Sequence, residues 1–109
     1  YVADACNYRI AVYDLEGNLQ RYIGRIGREP GQMRYPYDID LTQDGRLVVA
    51  EYGNNRVQVF SPEGESQGVY GTAGRQPGQL AYPWAVGVDE DERMYIVDSG
   101  NNRIQVWDM

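Results

Sequence analysis

Gly53-Asn54-Asn55-Arg56-Val57-Gln58-Val59 returns 47 residues later as Gly100-Asn101-Asn102-Arg103-Ile104-Gln105-Val106, and a shorter echo, Asn7-Tyr8-Arg9, lies 47 residues earlier. Outward from these segments, the same shift of 47 aligns the chain on itself without a gap, and 24 of the 62 superposed pairs are identical. Gly17, Gly24 and Gly27 fall on Gly64, Gly71 and Gly74; Arg28, Pro30, Gly31 and Gln32 on Arg75, Pro77, Gly78 and Gln79; Tyr35-Pro36 on Tyr82-Pro83. Such density means one structural unit used repeatedly, so the architecture follows from a single period.

Within that period the punctuation is that of short strands. Pro36 opens an apolar run to Leu41, Asp44-Gly45 marks a turn, and Leu47 to Glu51 is apolar and β-branched. Gly53-Asn54-Asn55 turns again, Arg56 to Phe60 alternates, Pro62 to Gly64 turns, and Ser66 to Tyr70 is extended. Gly and Asn are expected in the turns because they tolerate positive φ, and proline sits where a strand begins without needing an N–H. Four antiparallel strands, three tight turns and one long loop, Gly71 to Tyr82, make a β-propeller blade. The fold class is therefore all-β: antiparallel four-stranded blades, about 2.3 repeats of 47 residues. The expected division is a partial blade over 1–24, a full blade over 36–71 and a partial blade over 83–109.

The succession Tyr-Pro, apolar strand, Asp-Gly, apolar strand ending in Glu51 or Asp98, then Gly-Asn-Asn-Arg-Val/Ile-Gln-Val resembles the NHL repeat, over the whole chain. The resemblance implies a propeller, usually six-bladed, with the first strand of each blade lining a central channel, and a role as an interaction platform. The first copy departs from the pattern, with Ala5-Cys6-Asn7-Tyr8 in place of the Gly-Asn-Asn turn. An isolated arc leaves unfinished blades and bare sheet faces, so the chain is expected to be a stretch of a longer propeller whose remaining blades come from the same or another chain. Head-to-tail self-assembly is the alternative, but that joint would omit the fourth strand of one blade and the first of the next.

Composition narrows the chemistry. The chain has no His, which excludes Ser-His-Asp triads and His-ligated zinc within it, and Cys6 stands alone, so no internal disulfide forms. No apolar run approaches the roughly 18 residues needed to cross a bilayer, so membrane insertion is not expected. All ten basic residues are Arg against sixteen Asp and Glu, a formal charge of −6, which makes DNA a poor partner. No cofactor is expected. Sorted by propeller side, the long loops carry Arg25, Arg28, Arg34 and Arg75 against Glu29, a local +3, while the opposite turns carry nine carboxylates against Arg46 and Arg93, a local −7. Tyr8, Tyr35, Tyr37, Tyr52, Tyr82 and Trp84 gather on the basic side.

Arg25, Arg34, Tyr37 and Tyr52 differ from their repeat partners Thr72, Ala81, Trp84 and Ser99, so blade building does not demand them; with Trp84 they form the expected partner face. The recurrent Asn-Arg turn, by contrast, is expected to be a blade-building device, its Arg pairing with Glu51 or Asp98. Asp38 and Asp40 replace Ala85 and Gly87 of the next copy. Two apart on an inner strand, they are weak candidates for a metal site at the channel, calcium needing about six oxygens. Asp89-Glu90-Asp91-Glu92 lacks the ligand order of a calcium loop and is expected to be a solvated turn. The leading function is a protein or peptide scaffold and not an enzyme. Single-stranded RNA binding through stacked rings and Arg is the first alternative, and a metal-dependent lyase or lactonase-like propeller the second.

Overall fold

A computed structural model describes residues 1–109. Its strands are β1 (Val2–Asp4), β2 (Arg9–Tyr13), β3 (Leu19–Ile23), β4 (Pro36–Leu41), β5 (Leu47–Glu51), β6 (Arg56–Phe60), β7 (Ser66–Tyr70), β8 (Thr72–Ala73), β9 (Gln79–Leu80), β10 (Pro83–Val88), β11 (Arg93–Asp98) and β12 (Arg103–Asp108). They make antiparallel sheets ordered β1-β2-β3, β4-β5-β6-β7 and β10-β11-β12, together with the short parallel pair β8-β9. No helix exceeds a single 3-10 turn, at Ala5–Asn7, Tyr52–Asn54 and Ser99–Asn101. The chain is an all-β propeller segment, as the repeat predicts.

The core lies between sheets, not within them. Ile10, Val12 and Ile23 of the first sheet meet Met33, Leu47, Val49 and Phe60. On the other side of the central sheet, Val48, Ala50, Val57 and Val59 meet Leu80, Val86, Met94 and Ile96. The two faces of β5 therefore serve two seams, which is why Leu47–Glu51 is buried at every position and reads as a continuous apolar run. Burying such side chains contributes about 1.5–3 kcal/mol each, so neighbouring sheets supply much of the stability of each blade.

The turns refine the expectation about Gly and Asn. Positive φ falls to the third position, Tyr8 at 60°, Asn55 at 54° and Asn102 at 54°. Gly53 and Gly100 are demanded by crowding instead. A Cβ on Gly53 would lie 2.8 Å from Arg34 Cβ and 3.0 Å from the Arg34 carbonyl, and one on Gly100 would lie 2.7 Å from the Ala81 carbonyl. Here the loop that precedes each blade closes directly onto the blade's own turn. Cys6, which holds this position in the first copy, is exposed.

Two features of the inner strands were not legible in the period-2 pattern. The ladders β4-β5 and β10-β11 shift register between Pro36 and Asp38 and between Pro83 and Ala85, so Tyr37 and Trp84 occupy equivalent bulges. Bulges re-aim side chains, and both residues are turned outward, 41% and 60% exposed. Directly before each Pro, Tyr35 (φ 48°) and Tyr82 (φ 54°) hold left-handed backbone, a conformation that costs a non-glycine residue about 1–3 kcal/mol.

Candidate functional site: an aromatic, basic loop face

The repeated Asn-Arg motif is a buried clasp. Glu51, fully buried, accepts hydrogen bonds from Asn54 Nδ2 (2.8 Å), Arg56 Nε (2.8 Å) and Gln58 Nε2 (2.8 Å). The rest of the Arg56 guanidinium donates to the carbonyls of Arg28 and Gln32, and Asn54 Nδ2 also to that of Gly27, so one ion pair pins the whole preceding loop. Asp98 repeats this with Asn101, Arg103 and Gln105, Arg103 donating onward to the carbonyls of Gln76 and Gln79. Burial pushes the Asp98 carboxyl up, but the Ala81 N–H and these three side chains outweigh it and hold it below its ordinary value. In the first sheet Asp4 binds Asn7 and Arg9 alone, and the Arg9 guanidinium lies 3.7 Å over the Tyr22 ring.

Above the clasps runs a ladder of tyrosines. Tyr8 meets Tyr35 edge-on at 5.1 Å, Tyr35 meets Tyr37 at 6.4 Å, Tyr37 stacks on Tyr52 at 4.6 Å, and Tyr52 meets Tyr82 at 5.0 Å. The ladder spans both seams, since its members come from the first two blades and both long loops, Tyr82 directly preceding the third blade. Four of its five rings sit on unusual backbone: left-handed φ at Tyr8, Tyr35 and Tyr82, the bulge at Tyr37. The strain is held by the clasped turn, where Tyr52 N–H donates to the Tyr35 carbonyl (3.0 Å) and Gly53 N–H to that of Arg34 (3.1 Å). Tyr8 O–H and Tyr35 O–H are 3.2 Å apart, and this hydrogen bond raises the Tyr8 phenol above its ordinary value. At the other seam the equivalent tie is Tyr82 N–H donating to Asn55 Oδ1 (2.9 Å), the residue that Tyr8 replaces.

Of the ten arginines, Arg9, Arg46, Arg56, Arg93 and Arg103 are ion-paired. Arg25, Arg28, Arg34 and Arg75, all in the long loops, have no carboxylate partner; the other unpaired one, Arg21, donates to the Pro62 carbonyl (2.5 Å). Arg34 Nε is buried beside the ladder without a hydrogen-bond partner. Arg28 borders a cleft of about 270 Å³ lined with Gly53, Asn54, Asn55 and Ala73, immediately beside Tyr52. Of the residues the sequence singled out, Tyr37 and Tyr52 stack in the ladder, and Arg34 flanks it. Arg25 is exposed without a side-chain hydrogen bond, and Trp84 makes no ring contact, so neither joins that cluster. Tyr8, Tyr35 and Tyr82 are ladder members that spacing did not select; the available signals were Tyr8 standing where the other copies have Asn and the recurring Tyr-Pro pair.

Asp38 and Asp40 are hydrogen-bonded across the second seam. Asp38 Oδ2 accepts the N–H of Val86 (3.0 Å) and Asp40 Oδ2 that of Val88 (2.8 Å), so the pair joins β4 to the inner strand of the next blade. Asp40 Oδ1 also accepts the Leu41 N–H (2.8 Å). No cluster of three or more His, Cys, Asp or Glu side chains gathers to surround an ion. On the opposite side, the acidic run folds as a turn: Asp89 accepts the N–H groups of Asp91 and Arg93, pairs with Arg93 Nε (2.8 Å) and receives Tyr95 O–H. Arg46 bridges two blades there by pairing with Glu92 (2.7 Å).

These blades, clasped loop to turn around alternating seams, define a β-propeller repeat protein. The NHL repeat family model matches residues 33–60 and 80–107, together half of the chain, and the chain belongs to the NHL repeat family. Repeats of this family build β-propellers that generally mediate protein interaction.

Proposed function

We propose that the chain is a protein-interaction scaffold that binds a protein or peptide partner through its basic, aromatic loop face, and that it is a binding module and not an enzyme. One observation carries this reading. The same loops that contribute rings to a five-tyrosine ladder crossing both seams hold four of the five arginines left without carboxylate partners, whereas the Asn, Arg and Gln of the recurrent motif are taken up by the clasps beneath. Tyr and Arg at a preorganised site are what binding hot spots are made of. The absence of His and the use of Asp38 and Asp40 between strands support binding over catalysis.

The working ring includes further blades. Ile104 is 65% exposed and Val106 51%, although their counterparts in the central blade, Val57 and Val59, are buried against the next sheet. In the complete assembly, alanine at Arg34, Tyr37 or Tyr52 should weaken partner binding by about 2 kcal/mol, and alanine at Glu63 or Glu90 on the acidic side by well under about 1 kcal/mol. Titration calorimetry with the captured partner measures both. Binding that survives the first set and fails with the second places the interface on the other side. An RNA ligand would instead show a steep loss of affinity with salt.

A further inference from the structure

We infer that the ligand of the loop face is an extended, proline-containing peptide that carries carboxylates; this rests on the interaction reading above and names its partner class. The ladder is a continuous aromatic strip. Tyr35, Tyr37 and Tyr52 each touch a neighbouring ring on two sides, Tyr37 and Tyr52 stacked on each other and the other contacts edge-on or tilted, so the rings are fixed against one another. A nucleobase inserting into the row would have to part these rings. Tyr35, Tyr37 and Tyr82 remain 37%, 41% and 52% exposed, so the row offers aromatic surface and phenol hydroxyls to a ligand.

A polyproline II segment complements that row, because its carbonyls have no internal hydrogen bonds and its proline rings lie flat on aromatic surface. Successive steps of 5.1, 6.4, 4.6 and 5.0 Å give the ladder a contour of about 21 Å, the length of roughly seven residues at about 3.1 Å each. The charge of the peptide follows from the arginines. Arg34 flanks the ladder at one seam, and Arg28 lines the cleft beside Tyr52, where one carboxylate side chain fits. The −6 chain repels anions at long range, but the face itself is locally positive, so an acidic peptide is steered to this side.

The test uses the protein in its native assembly and fluorescence anisotropy with a labelled nine-residue peptide of proline-proline-glutamate repeats. Binding should weaken at least tenfold when glycine replaces every proline. It should also weaken at least tenfold with Tyr37→Ala or Tyr52→Ala, and severalfold with the ring-preserving Tyr37→Phe or Tyr52→Phe. Replacing glutamate by glutamine in the peptide should weaken it for the native protein and have little further effect in Arg28→Gln. Equal binding of the glycine peptide overturns the proline inference and leaves the interaction face standing. Failure of any tested peptide to bind, while a captured protein partner remains sensitive to Tyr37→Ala, overturns the inference in the same way. Tighter binding of a nine-nucleotide oligouridylate, lost steeply with salt, overturns both.

Discussion

The loop over residues 25–35 and the loop over 72–82 share one backbone and carry two different surfaces. Each closes a parallel contact, Ile26 with Met33 and Ala73 with Leu80, and each is pinned by the clasp of the blade that follows. Each presents Tyr before Pro in left-handed backbone. Yet the first displays Arg25 and Arg34 where the second has Thr72 and Ala81, and it leads to Tyr37 and Tyr52 where the second leads to Trp84 and Ser99. Most shared parts are what a blade requires, Arg28 and Arg75 being shared without a side-chain partner; the differences are free of that demand, and Arg34, Tyr37 and Tyr52 among them meet at the ladder. A repeat protein thereby holds its own control experiment, each copy showing what the other needs for folding alone.

The largest effect should come from the shared clasp. Glu51 is fully buried with its guanidinium partner, so Glu51→Ala strands a buried Arg56 and should cost about 3–5 kcal/mol in urea unfolding. Asp4→Ala removes the equivalent carboxylate from a half-buried pair and should have a smaller effect. If the two variants unfolded at the same urea concentration, the clasp would not depend on burial beneath its loop.

A middle-sized effect should separate crowding from backbone freedom. Gly53→Ala and Gly100→Ala each push a methyl into the preceding loop and should lose about 1–3 kcal/mol of stability. Cys6→Ala, at the same repeat position but where the first copy already carries a side chain that is exposed, should be neutral. Thermal melting of the three variants makes the comparison, and a destabilised Cys6→Ala would sink the packing explanation.

Much of this was legible in the primary structure, for a physical reason. Strands, turns and the carboxylate-arginine pairing recur at a fixed spacing, and three copies of Asn-Arg make the pattern visible. The ladder was less legible because ring-to-ring contact depends on backbone that breaks local rules. Period-2 alternation cannot signal the bulge at Tyr37, and a tyrosine before proline gives no warning of positive φ. The interblade hydrogen bonds of Asp38 and Asp40 were not legible for a related reason: they depend on how β10 packs against β4. Gly53 was correctly placed in a turn but for the wrong reason, since a glycine chosen for space looks the same in sequence as one chosen for φ.

The smallest effect concerns the turns on the acidic side, where the copies solve one problem with different chemistry. Thr42 Oγ1 accepts the Arg46 N–H (2.9 Å) in the central blade, and Asp89 Oδ1 accepts the Arg93 N–H (3.0 Å) in the third. One acceptor is neutral and the other titrates. The Arg93 N–H, then Tyr95 O–H and the Arg93 side chain, hold Asp89 down at about 2, from an ordinary value of 3.8. A carboxyl lowered in the folded state stabilises it above the ordinary value and loses that contribution as the pH falls through the folded one. The turn of the third blade should therefore weaken progressively from about pH 4 towards pH 2. Asp89→Asn removes the titrating group, so its stability deficit relative to the native chain should be present at neutral pH and shrink across that window. Urea midpoints at pH 7, 4 and 2.5 follow the difference, and the carboxyl carbon of Asp89 reports its titration directly by NMR. A deficit that stayed constant with pH would mean that Asp89 shapes this turn without its charge, as Thr42 does in the blade before it.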